Sequence, residues 1–163
     1  VPGSGNENAK IMLIGEAPGY WEDIKGLPFV GKAGKLLDEL LALVGLKRED
    51  VFITNIIKCR PPNNRDPSET EINACKPYLE KQINIIKPSI IICLGRFSMR
   101  FIFDKFRLKY EPISKAHGKI FEIRNLFYNL KIIPMYHPAV ALYNPQMKDI
   151  LFHDFAKIKE ILL

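Results

Sequence analysis

Polar side chains that suit chemistry on a planar ring follow the apolar stretches of the chain. Glu16 comes directly after the first apolar stretch, Asn55 ends the second, and His137 follows the last. Glu22 adds another carboxylate, and Phe29 lies between a proline and a Gly-x-x-Gly run. Carboxylates beside a flat apolar ring suit a pocket that holds a planar polar ring and acts on it. A solvated turn remains the alternative interpretation for the carboxylates, and a strand-end cap the alternative for Asn55.

The elements that position these residues can be predicted from hydrophobic periodicity. Strands are expected over residues 10–15, 51–55, 89–94 and 130–135, and helices over residues 32–44, 68–87, 96–103 and 146–163. Ser68 and Glu71 form a capping box at the start of the second helix, which is expected to run to about Lys87, with Pro77 as the candidate position for a kink or break. No strand is expected before residue 10, and a short β pair is expected within residues 105–129.

Strands that are apolar on both faces and alternate with helices are typical of a parallel sheet covered by helices. We therefore expect an α/β fold, a three-layer α/β/α sandwich with a central four-stranded parallel sheet and right-handed crossovers. The carboxyl ends of parallel strands meet at one edge of such a sheet. Glu16, Asn55, Gly95 and His137 all lie at or just after a predicted strand end, so they should meet at that edge.

Length and composition predict a single globular domain over residues 1–163, in which 47% of residues are hydrophobic and 26% are charged. The net charge of +6 favours a polyanionic partner such as nucleic acid. No apolar stretch approaches the ~20 residues that cross a bilayer, so we expect no membrane partner. The sequence shows no signal peptide, which predicts a cytoplasmic protein, and we expect a monomer.

Four motifs occur in a fixed order along nearly the whole chain. They are GEAPG from Gly15, GLPFVGKAGKLLDELL from Gly26, VFITNIIKCRPPNNRDP from Val51 and YHPAVALYNP from Tyr136. In this order they resemble a family 4 uracil-DNA glycosylase, a type common in archaea and bacteria. The resemblance implies an enzyme that flips deoxyuridine out of DNA and hydrolyses the N-glycosidic bond. It would release uracil and leave an abasic site, without cutting the strand.

The resemblance also implies how the base is recognised. Asn55 matches the family's base-reading amide, which can accept from N3–H of uracil and donate to O4 at the same time. Phe29 matches the stacking aromatic, a contact worth about 1–3 kcal/mol. Glu16 and Ala17 lie in the loop expected to contact the base.

The chemical step is expected to use His137 and a carboxylate. His137 matches the family's histidine, whose N–H would stabilise the negative charge that grows on uracil O2 as the bond breaks. Glu22 is favoured for work on the attacking water or the sugar cation, and Glu16 for shaping the loop and contacting the base pocket. His117 and His153 lack comparable context.

Several residues are candidates for contacts with the DNA strand. Leu142 is a candidate wedge where the base leaves the duplex, and Tyr143 could stack on an exposed base. The chain departs from the family here, because Tyr143 stands where an arginine is common, and again at Leu27. Candidate backbone contacts are Lys58, Arg60, Arg65, Ser114 and Lys115.

Cysteine usage bears on a cofactor. Cys59 and Cys75 match two of the four ligands of the 4Fe-4S cluster that the family carries, whereas Cys93 lies in an apolar strand and is interpreted as core. The family's other two ligands form a C-x-x-C pair upstream of the segment with which this sequence begins at Val1. The cluster is therefore expected only if upstream residues supply that pair, and its role would be structural.

Two other functions compete with this interpretation. A DNA-binding protein of the same fold without activity is disfavoured because Glu22, Asn55 and His137 are all present. A nucleotide- or phosphate-binding α/β protein would favour a Gly-Lys-Ser/Thr ending or a G-x-G-x-x-G run after the first strand. The chain has neither.

Overall fold

The computed structural model describes residues 1–127 and 129–162 as one mixed sheet with helices on both faces. The strands are β1 (Ser4–Gly5), β2 (Ile11–Gly15), β3 (Phe52–Asn55), β4 (Ile90–Leu94), β5 (Phe121–Arg124) and β6 (Asn129–Met135). The helices are α1 (Tyr20–Lys25), α2 (Lys32–Leu43), α3 (Glu69–Ile86), α4 (Arg96–Lys105), α5 (Ile113–Ala116) and α6 (Pro145–Ile161). Three short 3-10 helices span Arg48–Asp50, Pro62–Asn64 and Pro138–Ala141.

The sheet has the strand order β1-β3-β2-β4-β6-β5. Its four central strands are parallel, and β1 and β5 add antiparallel edges. The expected α/β class is confirmed, and the predicted four-stranded parallel sheet forms the centre of a six-stranded one. The strand β1 was missed because it has only two residues, one of them Gly5, and exists through pairing with Phe52 and Ile53. The β pair expected within residues 105–129 is not formed there: the described part of that segment holds one strand, β5, which pairs antiparallel with β6, the strand predicted at 130–135.

Two apolar layers hold the sheet between the helices. Leu13, Ile92 and Ile133 face α2 and α6, whereas Met12 and Ile91 face α3 and α4. Successive side chains of a strand point to opposite faces, so strands buried on both sides carry the continuous apolar runs seen in the sequence. Each fully buried large side chain contributes roughly 1.5–3 kcal/mol. The layers make the sheet a rigid support for the residues at its carboxyl edge.

Cys93 lies in the second layer and is fully buried, which confirms its interpretation as a core residue. Burial raises the pKa of its thiol well above the ordinary value, so the thiol stays protonated and inert.

Helix ends follow local signals, with one exception in α3. The Ser68 hydroxyl accepts from Glu71 N at 3.2 Å, and Ser68 N donates to the Glu71 carboxylate at 2.9 Å, which confirms the capping box. The break considered at Pro77 is wrong, because α3 continues through it. The carbonyl that Pro77 leaves without a donor belongs to Asn73, which is exposed, so water can satisfy it.

Helices α1 and α5 were not predicted because they have only six and four residues. Helix α6 begins one residue before its predicted start, and the predicted end at Leu163 lies outside the described residues. In the described ranges, none of the helices combines the length and apolar character that crossing a membrane requires.

Candidate active site

The carboxyl edge of the parallel strands holds a small cavity. Its volume is about 180 Å³, smaller than a typical site for a drug-sized ligand and suited to a single ring. Six of the predicted site residues line it: Ala17, Glu22, Phe29, Asn55, His137 and Leu142. Gly31, Lys32, Ala33 and Gly34, from the start of α2, complete the wall. Glu16 is not among the lining residues.

Asn55 carries an unused acceptor into this site. It ends β3, is 2% exposed, and its Oδ1 has no hydrogen-bond partner in the described part of the chain. Leaving a buried acceptor unpaired costs about 1–3 kcal/mol, which a ligand N–H would recover. Gly15 lies opposite Asn55 in the neighbouring strand, and a Cβ there would stand 2.5 Å from Oδ1 and 2.8 Å from the Phe29 ring. Glycine is therefore required for the close approach.

Phe29 forms an aromatic wall with His137. The two ring centroids are 5.4 Å apart, with 23° between the ring planes. Phe29 is buried although its backbone has φ of 51°, a conformation that bulky residues rarely adopt. Such strain persists only where the surroundings determine the conformation, which points to a constraint on where this ring stands.

Arg48 supplies part of that constraint, and no sequence argument singled it out. Its guanidinium donates to the carbonyls of Pro28 at 3.0 Å, of Gly34 at 3.2 Å and of Phe29. Its Nε donates to Asp38 at 2.5 Å. One cation thus holds three carbonyls around the Phe29 turn. The sequence contains no local signal for this, because Arg48 is far along the chain from the carbonyls it binds.

Glu22 holds the other side of the same turn. Its carboxylate accepts from Val30 N at 2.9 Å and Gly31 N at 3.1 Å, and from Gly19 N at 2.9 Å at the start of its own helix. Three of the roughly four lone-pair positions of a carboxylate are therefore occupied by backbone donors. Glu22 lines the cavity, and its hydrogen bonds also connect the loop at Gly19 to the loop at Val30.

His137 is a neutral hydrogen-bond donor at the pocket. Burial lowers its pKa to about 4, against a smaller opposing influence of the Glu22 charge. Its Nδ1 accepts from Ala139 N at 3.1 Å, so the proton of the neutral ring resides on Nε2. Gly95 has φ of 94°, and a Cβ added at this position would stand only 3.2 Å from the Cβ of His137. The backbone thereby fixes both the position and the tautomer of the ring.

Glu16 does not line the base cavity, and its charged neighbours are Asp66 and Arg96. Burial raises its pKa, the nearby Asp66 raises it further, and Arg96 opposes them. Its backbone carbonyl accepts from Ile57 N at 3.0 Å, which ties the loop after β2 to the loop after β3. The contact between Glu16 and the base stays a prediction.

The predicted phosphate ligand Lys58 is turned into the protein. Its ammonium donates to Thr54 Oγ1 at 2.6 Å, to the Asn55 carbonyl at 2.8 Å and to Gln82 Oε1 at 2.6 Å. Burial lowers its pKa to about 8, partly offset by Cys75. All three N–H donors are used, which weakens the case for a phosphate contact by Lys58. It supports the strand that carries Asn55 instead.

The two arginines of the same loop have partners as well. Arg60 donates to Asn64 at 2.7 Å and lies over the Tyr20 ring, 5.3 Å from its centroid. The exposed Arg65 makes a bidentate pair with Glu71, at 2.6 and 3.1 Å. Ion pairs near the surface contribute little stability and exchange readily, so the guanidinium of the exposed Arg65 stays accessible to an incoming phosphate.

Ser114 and Lys115 are exposed on α5. The backbone N–H of Gly118, near them, already donates to Pro134 O at 2.8 Å, so it is not open to a phosphate. His117 has a context that the sequence did not reveal, since its Nδ1 lies 2.7 Å from the buried Asp154 carboxylate. This pair fastens the loop after α5 to α6.

Leu142 and Tyr143 follow the short helix after His137. Leu142 is partly buried and lines the cavity, whereas Tyr143 is 84% exposed. Asn144 caps α6 by accepting from Gln146 N and Met147 N. The loop thus presents one apolar side chain to the pocket and one aromatic ring to solvent.

Cys59 and Cys75 lie together beside the first residues of the chain. Both line a depression of about 470 Å³ with Val1 and Lys58, and the Val1 amino group donates to Lys58 O at 2.7 Å. Lys58 N lies 3.4 Å from Cys75 Sγ. Within the described ranges, no three His, Cys, Asp or Glu side chains are grouped so as to hold a metal. Two thiols with adjacent space suit half of a four-thiolate site.

A rigid sheet edge that presents an unpaired amide oxygen, a stacking ring and a neutral imidazole defines a protein that reads a planar base. Comparison with known proteins agrees, since residues 2–162 match the model of the uracil DNA glycosylase superfamily. A type-4 uracil-DNA glycosylase of Saccharolobus solfataricus is 57% identical, covering 99% of this chain and 76% of the relative. One from Archaeoglobus fulgidus is 53% identical, covering 99% and 81%.

A third relative with the same description, from Sulfurisphaera tokodaii, is 52% identical, covering 100% of this chain and 74% of the relative. The chain therefore belongs to the uracil DNA glycosylase superfamily and, within it, to the type-4 family.

Proposed function

We propose that this protein removes uracil from DNA as a uracil-DNA glycosylase, acting as a monomer. The observation that carries the proposal is the unpaired Oδ1 of Asn55, a residue that lines a single-ring cavity together with Phe29 and His137. Uracil offers an N3–H donor to that oxygen and an O4 acceptor to the amide nitrogen. Cytosine presents an acceptor and an amino group at these positions, so it would leave the same amide mismatched.

The chemical step follows from the state of His137. The C1′–N1 bond breaks with its electron pair moving onto uracil, so negative charge grows at O2 and positive charge on the sugar. The Nε2–H of His137 donates to O2, and this contact strengthens as the charge develops. A neutral imidazole is already in the required state at pH 7, because its pKa lies near 4.

Water completes the reaction by forming a bond to C1′ and losing a proton, while the uracil anion takes one up. Glu22 provides a negative charge beside the sugar, which offsets the charge of the cation. Its three backbone donors hold the carboxylate in place and leave about one acceptor position for the water. Glu16 acts by shaping the loop that carries Ala17.

DNA would approach across the carboxyl edge of the sheet. Leu142 enters the space left by the flipped nucleotide, and Tyr143 stacks on a neighbouring base. The proposed phosphate contacts are Arg60, Arg65, Ser114 and Lys115, of which the last three are exposed. Lys58 is omitted from this set because its ammonium is partly buried and all three of its donors are bonded.

Cys59 and Cys75 would supply two of four thiolates to a 4Fe-4S cluster, and two further cysteines would have to come from outside residues 1–163. When bound, the cluster would tie the loop after β3 to α3 and serve a structural purpose. An iron assay and a visible absorption spectrum test this on a chain to which two such cysteines have been supplied. Iron content that is unchanged by Cys59→Ser would contradict the assignment.

Uracil release tests the function directly. Oligonucleotides that differ only in one base, uracil, cytosine or thymine, are incubated with the protein, and free base and alkali-labile sites are counted. We expect release from uracil alone, with equal numbers of free uracil and abasic sites and no strand break before alkali. DNA binding without release would favour the non-catalytic alternative.

A further inference from the structure

The turn that carries Phe29 is held from two sides by groups of opposite charge. Its carbonyls, together with that of Gly34, bind the Arg48 guanidinium, and its next two N–H groups bind Glu22. Gly34 in the first turn of α2 closes a third side, because a Cβ there would stand 1.8 Å from Phe29 O. The left-handed backbone of Phe29 is therefore determined by its surroundings and not by its own preference.

Arg48 also stands at a junction between two parts of the pocket. The short helix Arg48–Asp50 leads directly into β3, whose last residue is the base-reading Asn55. The guanidinium thus joins the strand that carries the amide to the turn that carries the stacking ring. Arg48 does not line the cavity itself, so any effect of Arg48 on the reaction passes through these neighbours.

We propose that Arg48 is a positioning residue, which sets the Phe29 ring at the distance from Asn55 and His137 that a stacked uracil requires. This rests on the proposed function. Arginine suits the task because its planar guanidinium presents five donors in a fixed geometry and can bridge several carbonyls at once. Lysine carries its three donors on one nitrogen, so it lacks the planar spread by which two guanidinium nitrogens reach the carbonyls of Pro28, Phe29 and Gly34 while Nε binds Asp38.

The ion pair with Asp38 is not the basis of this role. The Asp38 side chain is 53% exposed and that of Arg48 is 31% exposed, and surface pairs of this kind contribute little. Asp38→Asn removes the pair while leaving the three carbonyl contacts, so it is a matched control. We expect Asp38→Asn to release uracil at the wild-type rate.

A double-mutant cycle separates positioning from general stability. Single-turnover release is measured for the wild type, Arg48→Met, Phe29→Ala and the double variant, at saturating enzyme and well below each melting temperature. We expect Arg48→Met to slow release by about 10- to 100-fold, since a misplacement of about 1 Å can cost roughly 10² in rate. If Arg48 acts through Phe29, the double variant is no slower than Phe29→Ala.

Other outcomes overturn the proposal. Rate losses that multiply in the double variant would show that Arg48 acts independently of the ring. A normal rate for Arg48→Met with only a lowered melting temperature would make Arg48 a structural residue. Arg48→Lys keeps the charge and should fall between wild type and Arg48→Met; if Arg48→Met does not fold, Arg48→Lys replaces it in the cycle.

A second measurement does not depend on activity. Amide exchange at Val30 and Gly31 should quicken in Arg48→Met and stay unchanged in Asp38→Asn, because only the first variant frees the turn. Unchanged amide exchange in Arg48→Met would overturn the proposal that Arg48 holds the Phe29 turn, even if this variant released uracil more slowly. A wild-type protein that released no uracil would instead overturn the proposed function. The amide-exchange data would still decide whether Arg48 holds the Phe29 turn.

Discussion

The base pocket and the basic loop at residues 58–65 lie at the same edge of the sheet but use their polar groups in opposite ways. In the pocket, Asn55 leaves an acceptor unpaired and His137 keeps a neutral ring with its donor on Nε2. In the loop, Lys58, Arg60 and Arg65 are all bonded to protein atoms. An unpaired buried group indicates a site that can bind a ligand without breaking protein hydrogen bonds. A cation that is already paired either stabilises the fold or must give up its protein partner before it binds a phosphate.

The comparison predicts its largest effect at Asn55. Asn55→Ala should slow uracil release by about 10⁴-fold with little change in folding, because a site built around a buried amide loses its matched polar contacts. Single-turnover release and a melting curve on the same sample measure both quantities. Uracil release near the wild-type rate would show that Asn55 does not recognise the base. The unpaired acceptor would then no longer distinguish the pocket from the loop at residues 58–65.

His137→Ala should produce the next largest effect. Loss of one preorganised donor typically costs ~10²–10³ in rate, or roughly 3–4 kcal/mol, mainly in the chemical step. Binding to uracil-containing DNA should change much less, because the contact strengthens only as the bond breaks. Single-turnover rates and binding titrations are compared. A rate explained wholly by the unfolded fraction would make His137 structural.

The protonation state of His137 can be tested directly by pH. Its pKa is lowered to about 4, so in the native protein the ring should stay neutral from pH 8 down to about 5, while the unfolded chain takes up the proton near pH 6.5. Stability from this group is therefore complete above about pH 6.5 and is lost as the pH falls toward 4. Histidine ¹⁵N spectra report the titration, with the urea-unfolded chain as control; protonation of native His137 near pH 6.5 would contradict it.

In the loop, Lys58 should affect stability and not the salt dependence of DNA binding. Lys58→Met leaves three acceptors without their donor, and one unsatisfied buried group costs about 1–3 kcal/mol. Urea unfolding measures the loss, and binding to non-target DNA is followed over a range of salt concentrations. A flatter salt dependence in Lys58→Met would return Lys58 to the set of phosphate ligands.

Arg60 provides the opposite and smallest effect. Arg60→Met should leave stability nearly unchanged and reduce the slope of log binding constant against log salt by about 1, as expected for one lost phosphate contact. Lys58→Met serves as the matched variant from the same loop. An unchanged slope in Arg60→Met would mean that the cation stays on Tyr20 and Asn64 when DNA binds.

The sequence by itself determined the α/β fold and most of the pocket. Apolar strands that alternate with helices predict a parallel sheet, and these strands end at Gly15, Asn55 and Met135. A parallel sheet brings the carboxyl ends of its strands together at one edge. The meeting of Asn55 and His137 could therefore be anticipated from their strand ends, whereas Phe29 was assigned to the site by the family resemblance of its motif. Cys93 was likewise identified as core from its apolar surroundings alone.

Only the tertiary structure decided which charged groups are free. Lys58 and Arg65 look alike in sequence, yet the Lys58 ammonium is partly buried and bonded to acceptors of β3 and α3, whereas Arg65 is exposed beside Glu71. The hydrogen bonds by which Arg48 and Glu22 hold the Phe29 turn are seen only in the structure, because their partners are distant in the sequence. A side chain's hydrogen bonds depend on how elements pack, and local periodicity carries no information about that packing.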